Sequence, residues 1–138
     1  MKKILFVIAF IFMNTNYGFS QEKYRISIGF SSICCGTPDD KIILDYIQTF
    51  KKSNKIKAIK TTLISGLGRE GEHQYVFTLN ELSKKQRIRF ISKLKEICTV
   101  FEKKRNINHD GSINMTEITD SNEIETQIAN QQSKVMNL

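Results

Sequence analysis

The sequence predicts an α+β protein with a ferredoxin-like β-α-β-β-α(-β) order, in which two helices cover one face of an antiparallel sheet. Three short segments alternate apolar with polar residues, which is typical of half-buried strands. Two longer segments repeat apolar residues at helical spacing and carry helix-start signals. The order of these segments along the chain matches the split βαβ arrangement.

The first twenty residues are typical of a secretory signal peptide. Two lysines precede an apolar run from Ile4 to Met13, and the small residues Gly18 and Ser20 suit cleavage before Gln21. The run is half the roughly twenty residues of a membrane span, and no second apolar run reaches that length. We therefore expect a bacterial protein that is secreted or periplasmic after cleavage, with no transmembrane segment in the mature chain.

The first predicted strand and helix follow this leader. Tyr24, Ile26, Ile28 and Phe30 alternate with polar or small residues, which indicates a strand. After the SSICCG loop, Thr37 is a good N-cap and Pro38 suits the first helical position. This pattern predicts a helix that runs from there to about residue 52.

A hairpin is predicted next. Alternating residues indicate strands over about 56–65 and 74–79, and the GLGREGE segment between them forms the turn. Lys57 and Lys60 are typical of an edge strand that is protected against aggregation.

Ser83 and Gln86 form a capping box for a second helix. Its apolar stripe reaches Phe101, and residues 103–105 are basic, which suits a helix C-terminus. A further strand is predicted over about 112–119. We therefore expect one domain over 21–119, followed by a polar tail over 120–138 that is flexible or partly helical.

In this topology the first loop, the hairpin and the C-terminal half of the second helix meet at one end. Cys98 lies about 22 Å along the helix from Ser83 and should approach Cys34 and Cys35. Because an exported chain meets an oxidising compartment, a disulfide from Cys98 to Cys34 or Cys35 is favoured. Three free thiols and a Cys34–Cys35 bond are the alternatives.

The same end suggests a recognition loop. Unpaired N–H groups at the start of the first helix favour an anion. The residues that we expect to line such a site are Thr37, Arg69, Glu70, Glu72 and His73. The alternative is a glycine-rich turn whose charges are solvated.

Charge is distributed unevenly along the chain. Residues 41–105 contain sixteen Lys and Arg against six Asp and Glu, whereas residues 106–138 contain five acids and one lysine. The excess of positive charge suits a domain that binds an anionic envelope component. The alternative is that these lysines only keep a small domain soluble. Aromatic residues are not interleaved with the lysines, so there is no specific nucleic-acid signal.

The segment NINHDGSINMTEI, residues 106–118, resembles an EF-hand loop and, more closely, the calcium loop of dockerin modules. The resemblance implies calcium ligands at Asn106, Asn108, Asp110, Ser112 and Glu117. Because the first of these is Asn where the family has Asp, calcium binding should be weak. The alternative is a turn that leads into the fourth strand.

The chain also resembles small uncharacterised secreted bacterial proteins with a Cys-Cys-Gly loop and a Gly-x-Glu-Gly-Glu hairpin, and that resemblance implies no activity. No nucleophile motif is recognisable, so we expect no catalytic residue and no cofactor beyond weakly bound calcium. The leading hypothesis is an exported, non-catalytic binding domain for an unknown protein. The alternatives are a weak calcium-binding module and a thiol-dependent small enzyme or redox-active protein. The latter would use Cys34 or Cys35 with Glu70, Glu72 or His73.

Overall fold

The computed structural model describes residues 24–119 and 121–138, so the predicted signal peptide lies outside the described residues. The α+β class is confirmed by five strands and three helices among these residues. In chain order they are β1 (Arg25–Ser31), α1 (Lys41–Asn54), β2 (Lys60–Ser65), β3 (His73–Thr78), α2 (Lys84–Lys104), β4 (Ser112–Ile118), α3 (Ser121–Asn130) and β5 (Gln132–Asn137).

The strands form one antiparallel sheet in the order β4-β1-β3-β2-β5. The order of the first four strands is consistent with the predicted ferredoxin-like arrangement. Register follows from the apolar pattern, since Ile28 of β1 lies between Tyr75 of β3 and Met115 of β4. A slip of one residue would turn these side chains to the opposite face.

The main core lies between one face of the sheet and helices α1 and α2. Alternate residues of β1 and β3 pack there against the apolar faces of both helices. The side chains that are fully buried at this interface include Ile26, Ile28, Ile43, Ile47, Phe77, Phe90 and Leu94. Burial of each such side chain contributes about 1.5–3 kcal/mol.

Both predicted helices form, but α1 begins later than expected. The sequence predicts Thr37 as the N-cap, whereas α1 begins at Lys41 with Asp40 at the capping position. The Asp39 carboxylate accepts the Lys41 N–H at 2.8 Å, and the Asp40 carboxylate accepts the Tyr75 hydroxyl. These two bonds hold the segment before Lys41 in a turn outside the helix.

The capping box of α2 is observed as predicted. The Ser83 hydroxyl accepts the Gln86 N–H at 3.3 Å, and the Gln86 side chain accepts the Ser83 N–H at 2.9 Å. Although α2 has 21 residues, it is strongly charged. Across residues 24–119 and 121–138, no helix combines the length and apolar character needed to cross a membrane.

The last nineteen residues, where the sequence predicts a flexible or partly helical tail, contain α3 and β5. Helix α3 places Ile124 against Ile64 and Val76 on the sheet face opposite α1 and α2. Strand β5 pairs with β2, and the backbones of Ile59 and Leu138 exchange two hydrogen bonds beyond it. The strand was not predicted, because QSKVMN contains two apolar residues and no alternation over its length.

Candidate functional site

Strand pairing brings three loops to one end of the sheet. Ser31 and Ser112 are register partners, and their hydroxyl oxygens lie 2.6 Å apart. The loop that follows β1 therefore lies beside the loop that precedes β4. The β2–β3 hairpin reaches the same end, where the ring of His73 stacks on Phe30 at 4.7 Å between centroids.

Two exposed thiols lie in contact in the first of these loops. The Sγ atoms of Cys34 and Cys35 are 2.7 Å apart, and the Cys34 thiol donates to the His109 carbonyl at 3.4 Å. All three cysteines of the chain are free. The favoured disulfide from Cys98 is therefore not present in the structure.

The direction of the Cys98 side chain accounts for this difference. Cys98 lies one turn after Leu94 on the buried stripe of α2 and belongs to the main core. It lines a cavity together with Ile113 and Met115 of β4. Distance along the helix axis does not fix the direction of a side chain, and rotation about the axis of α2 turns Cys98 toward the sheet.

His109 is the histidine that joins the thiol pair. Its Nε2 lies 3.9 Å from Cys35 Sγ, and its Nδ1 lies 3.3 Å from the Asp110 carboxylate. The backbone N–H of Asn106 donates to Asp110 at 2.7 Å, and this bond, together with His109, holds the Asp110 pKa below its usual value. Asp110 is therefore a stable carboxylate that can orient the imidazole.

The contact with Cys35 also affects the protonation of Cys34. Its pKa is raised above the ordinary thiol value, first by the hydrogen bond with Cys35 and further by the charges of Glu70 and Asp110. The neutral Cys34 thiol is therefore favoured over its thiolate.

The structure places the predicted recognition residues in different surroundings. Thr37 lines the cavity described below, while His73 stacks in the interior of the same end of the sheet. Arg69 is exposed in the hairpin, and the Glu72 carboxylate folds back to accept the Glu70 N–H at 2.8 Å. Of these residues, Glu70 lies close enough to Cys34 to influence its pKa.

The candidate calcium ligands divide between a loop and a strand. Asn106 and Asp110 lie in the loop, but Ser112–Ile118 form β4, which is the alternative that the sequence left open. At about 3.3 Å per residue, Glu117 lies roughly 17 Å along the strand from Ser112. Its carboxylate contacts Lys95 at 2.6 Å and Tyr24 at 3.2 Å, so it does not close the loop around Asp110.

A cavity of about 440 Å³ lies beside the thiols, between the first loop and the end of α2. Its walls are mainly apolar, and Cys35, His109 and Lys104 also line it. Arg105, another lining residue, is held by Glu102 at 2.6 Å. The apolar lining residues are Pro38, Ile42, Val100 and Phe101.

Sequence reasoning missed this cavity. Val100 lies off the apolar stripe of α2, and such a large apolar residue on the outer face of a helix is the signal that could have indicated it. Ile33, Ile42 and Ile107 are exposed at the same end of the molecule. No protein-family model, curated protein or solved structure matches this chain significantly.

Proposed function

We propose that this chain is an exported, non-catalytic binding domain whose contact surface is the cavity beside the thiols and the apolar side chains around it. The observation that supports this proposal is the cluster of exposed apolar residues on four separate segments. Ile33, Ile42, Val100 and Ile107 are between 43% and 67% exposed, although the main core is nearly closed to solvent. Concentrated exposure of this kind marks binding surfaces more often than scattered apolar residues do.

The partner that fits this surface is a polypeptide with an apolar side chain beside an acidic residue. A cavity of about 440 Å³ can hold one large anchor side chain, and such anchors dominate interface energies. Lys104 lines the cavity, and no salt bridge joins it to a carboxylate within residues 24–119 and 121–138. An acidic residue next to the anchor would therefore gain a partner at the rim of the interface.

A phage-displayed library of random linear peptides tests this proposal. Selection on the mature protein should enrich peptides with a large apolar residue next to Asp or Glu. Val100→Lys should lose these peptides, because it places a charge in the cavity wall. Val135→Lys is the matched control, since Val135 is 60% exposed on β5. Absence of enrichment, or equal loss in both variants, would refute the proposed surface.

The arrangement of Cys35, His109 and Asp110 favours a second candidate function, a thiol-active protein. A thiol, an imidazole and an orienting carboxylate follow each other at 3.9 Å and 3.3 Å. In this role His109 takes the place that the sequence assigned to His73. Iodoacetamide should then modify Cys35 faster in the native protein than in His109→Gln. Equal rates would exclude assistance by the imidazole.

A further inference from the structure

The two loops that strand pairing joins bring two thiol sulfurs and one imidazole nitrogen close together. The Sγ atoms of Cys34 and Cys35 and a ring nitrogen of His109 all lie within 4.8 Å of one another, and all three residues are exposed. This is the one set of three or more His, Cys, Asp or Glu with metal-binding spacing in the part of the chain that the structure describes.

The chemistry of these donors selects the ion. Thiolate and imidazole ligands suit Zn²⁺ and Cu⁺, whereas Ca²⁺ and Mg²⁺ require oxygen ligands. For Zn–S bonds of about 2.3 Å in tetrahedral geometry, the sulfurs must lie about 3.8 Å apart. They lie 2.7 Å apart in the structure, so metal binding requires the two exposed side chains to rotate apart by about 1 Å.

The surroundings of His109 match those of a metal ligand. Metal-binding imidazoles commonly direct their second nitrogen to a carboxylate, which fixes the ring orientation. Here Asp110 lies 3.3 Å from Nδ1, so Nε2 is the atom directed toward Cys35.

We propose that Cys34 Sγ, Cys35 Sγ and His109 Nε2 bind one thiophilic d¹⁰ ion, Zn²⁺ or Cu⁺. On binding Zn²⁺ near neutral pH, each thiol gives up its proton to solvent and becomes a thiolate ligand, while the neutral imidazole donates its lone pair. Cys35 and His109 also line the apolar cavity, so a fourth coordination position would lie at its mouth. The site does not depend on the proposed peptide partner.

Cobalt is the probe for this site, because Co²⁺ takes the place of Zn²⁺ and gives an intense thiolate-to-metal absorption band. We expect the reduced mature protein to develop this band at one Co²⁺ per chain and to lose it when Zn²⁺ is added. Calorimetric titration of Zn²⁺ in buffers of different ionisation enthalpy should report the released protons. The affinity for Cu⁺ is measured in competition with a ligand of known Cu⁺ affinity. Comparison with the Zn²⁺ affinity then shows which of the two ions the protein binds more tightly.

The metal affinities of single-residue variants identify the side chains that bind the ion. Cys34→Ser, Cys35→Ser and His109→Gln should each weaken binding more than Asp110→Asn, for which a loss of about 10–100-fold is expected. Cys98→Ala and His73→Gln are the matched controls, since neither side chain belongs to the cluster. Circular dichroism checks that each variant is folded.

A measurement on the unmodified protein complements the variants. Bound Zn²⁺ should protect Cys34 and Cys35 from alkylation, and mass spectrometry identifies the protected cysteines. Absence of the cobalt band, or a band that persists when both Cys34 and Cys35 are replaced, would overturn the proposal. Val100→Lys should keep the band while losing the selected peptides, so failure of the metal site and failure of the peptide surface are distinguishable.

Discussion

Replacement of Ile124 by alanine measures how firmly α3 is docked on the sheet. Ile124 is 6% exposed and contacts the buried side chains of Ile64 and Val76. The change removes three carbon atoms, which at about 0.8 kcal/mol each amounts to roughly 2.4 kcal/mol of lost burial. The higher helix propensity of alanine returns a few tenths of a kcal/mol. We therefore expect the free energy of unfolding to fall by about 2 kcal/mol.

The assay is urea unfolding of the mature protein, followed by circular dichroism and tyrosine fluorescence. With a slope of about 2 kcal/mol per molar urea, the midpoint should fall by roughly 1 M. Ile107→Ala is the matched control, because Ile107 is largely exposed and its replacement should change stability by less than about 0.5 kcal/mol. If both variants unfold at the same urea concentration, then α3 is not part of the folded unit and the reasoning is refuted.

Three further predictions concern the N-cap of α2, the glycine before β4 and the partly buried Tyr46. Ser83→Ala removes the N-cap of α2 and should lower stability by about 1 kcal/mol in thermal unfolding; no change would contradict the capping role. Gly111→Ala would place a Cβ 2.2 Å from the Ser31 carbonyl oxygen and should cost about 1–3 kcal/mol in urea unfolding, whereas Gly29→Ala meets nothing closer than 4.0 Å and should cost less. Burial raises the pKa of Tyr46 to about 12, so its contribution to stability is complete below about pH 10 and is lost as the pH rises through 12. Urea unfolding of Tyr46→Phe across this range should show a weaker pH dependence than the wild type, and equal slopes would contradict the assignment.

Local signals explain why the elements of the main domain could be predicted. The alternation around Ile28 and the capping box at Ser83 act through neighbours in the sequence, so a single chain reveals them. The start of α1 was misplaced because Asp40 is held by Tyr75, a residue that lies 35 positions away. Capping preferences depend on neighbours in the sequence, so they cannot predict a contact with such a distant residue.

The candidate site depends on contacts between distant parts of the sequence more than the individual helices and strands do. The sequence predicts that the first loop and the hairpin lie at one end, as observed. It favours a disulfide from Cys98, and it offers Glu70, Glu72 or His73, but not His109, as partners of a reactive thiol. Rotation about the α2 axis buries Cys98, and the β1–β4 register delivers His109. Docking of the polar segment after residue 120 likewise depends on long-range contacts: Ile124 and Ile128 pack on the sheet face opposite the main core, and β5 pairs with β2.

The β1–β4 pairing also sets the order in which the molecule can be assembled. Ile28 and Met115 are 87 residues apart, whereas the β2–β3 partners Leu63 and Tyr75 are twelve apart. Loop closure is slower for distant partners, so the hairpin should form early and β4 should join late. Until β4 joins, Cys34 and Cys35 lack the imidazole of His109. The cluster of Cys34, Cys35 and His109 is therefore a product of the last folding steps, because its imidazole arrives with β4.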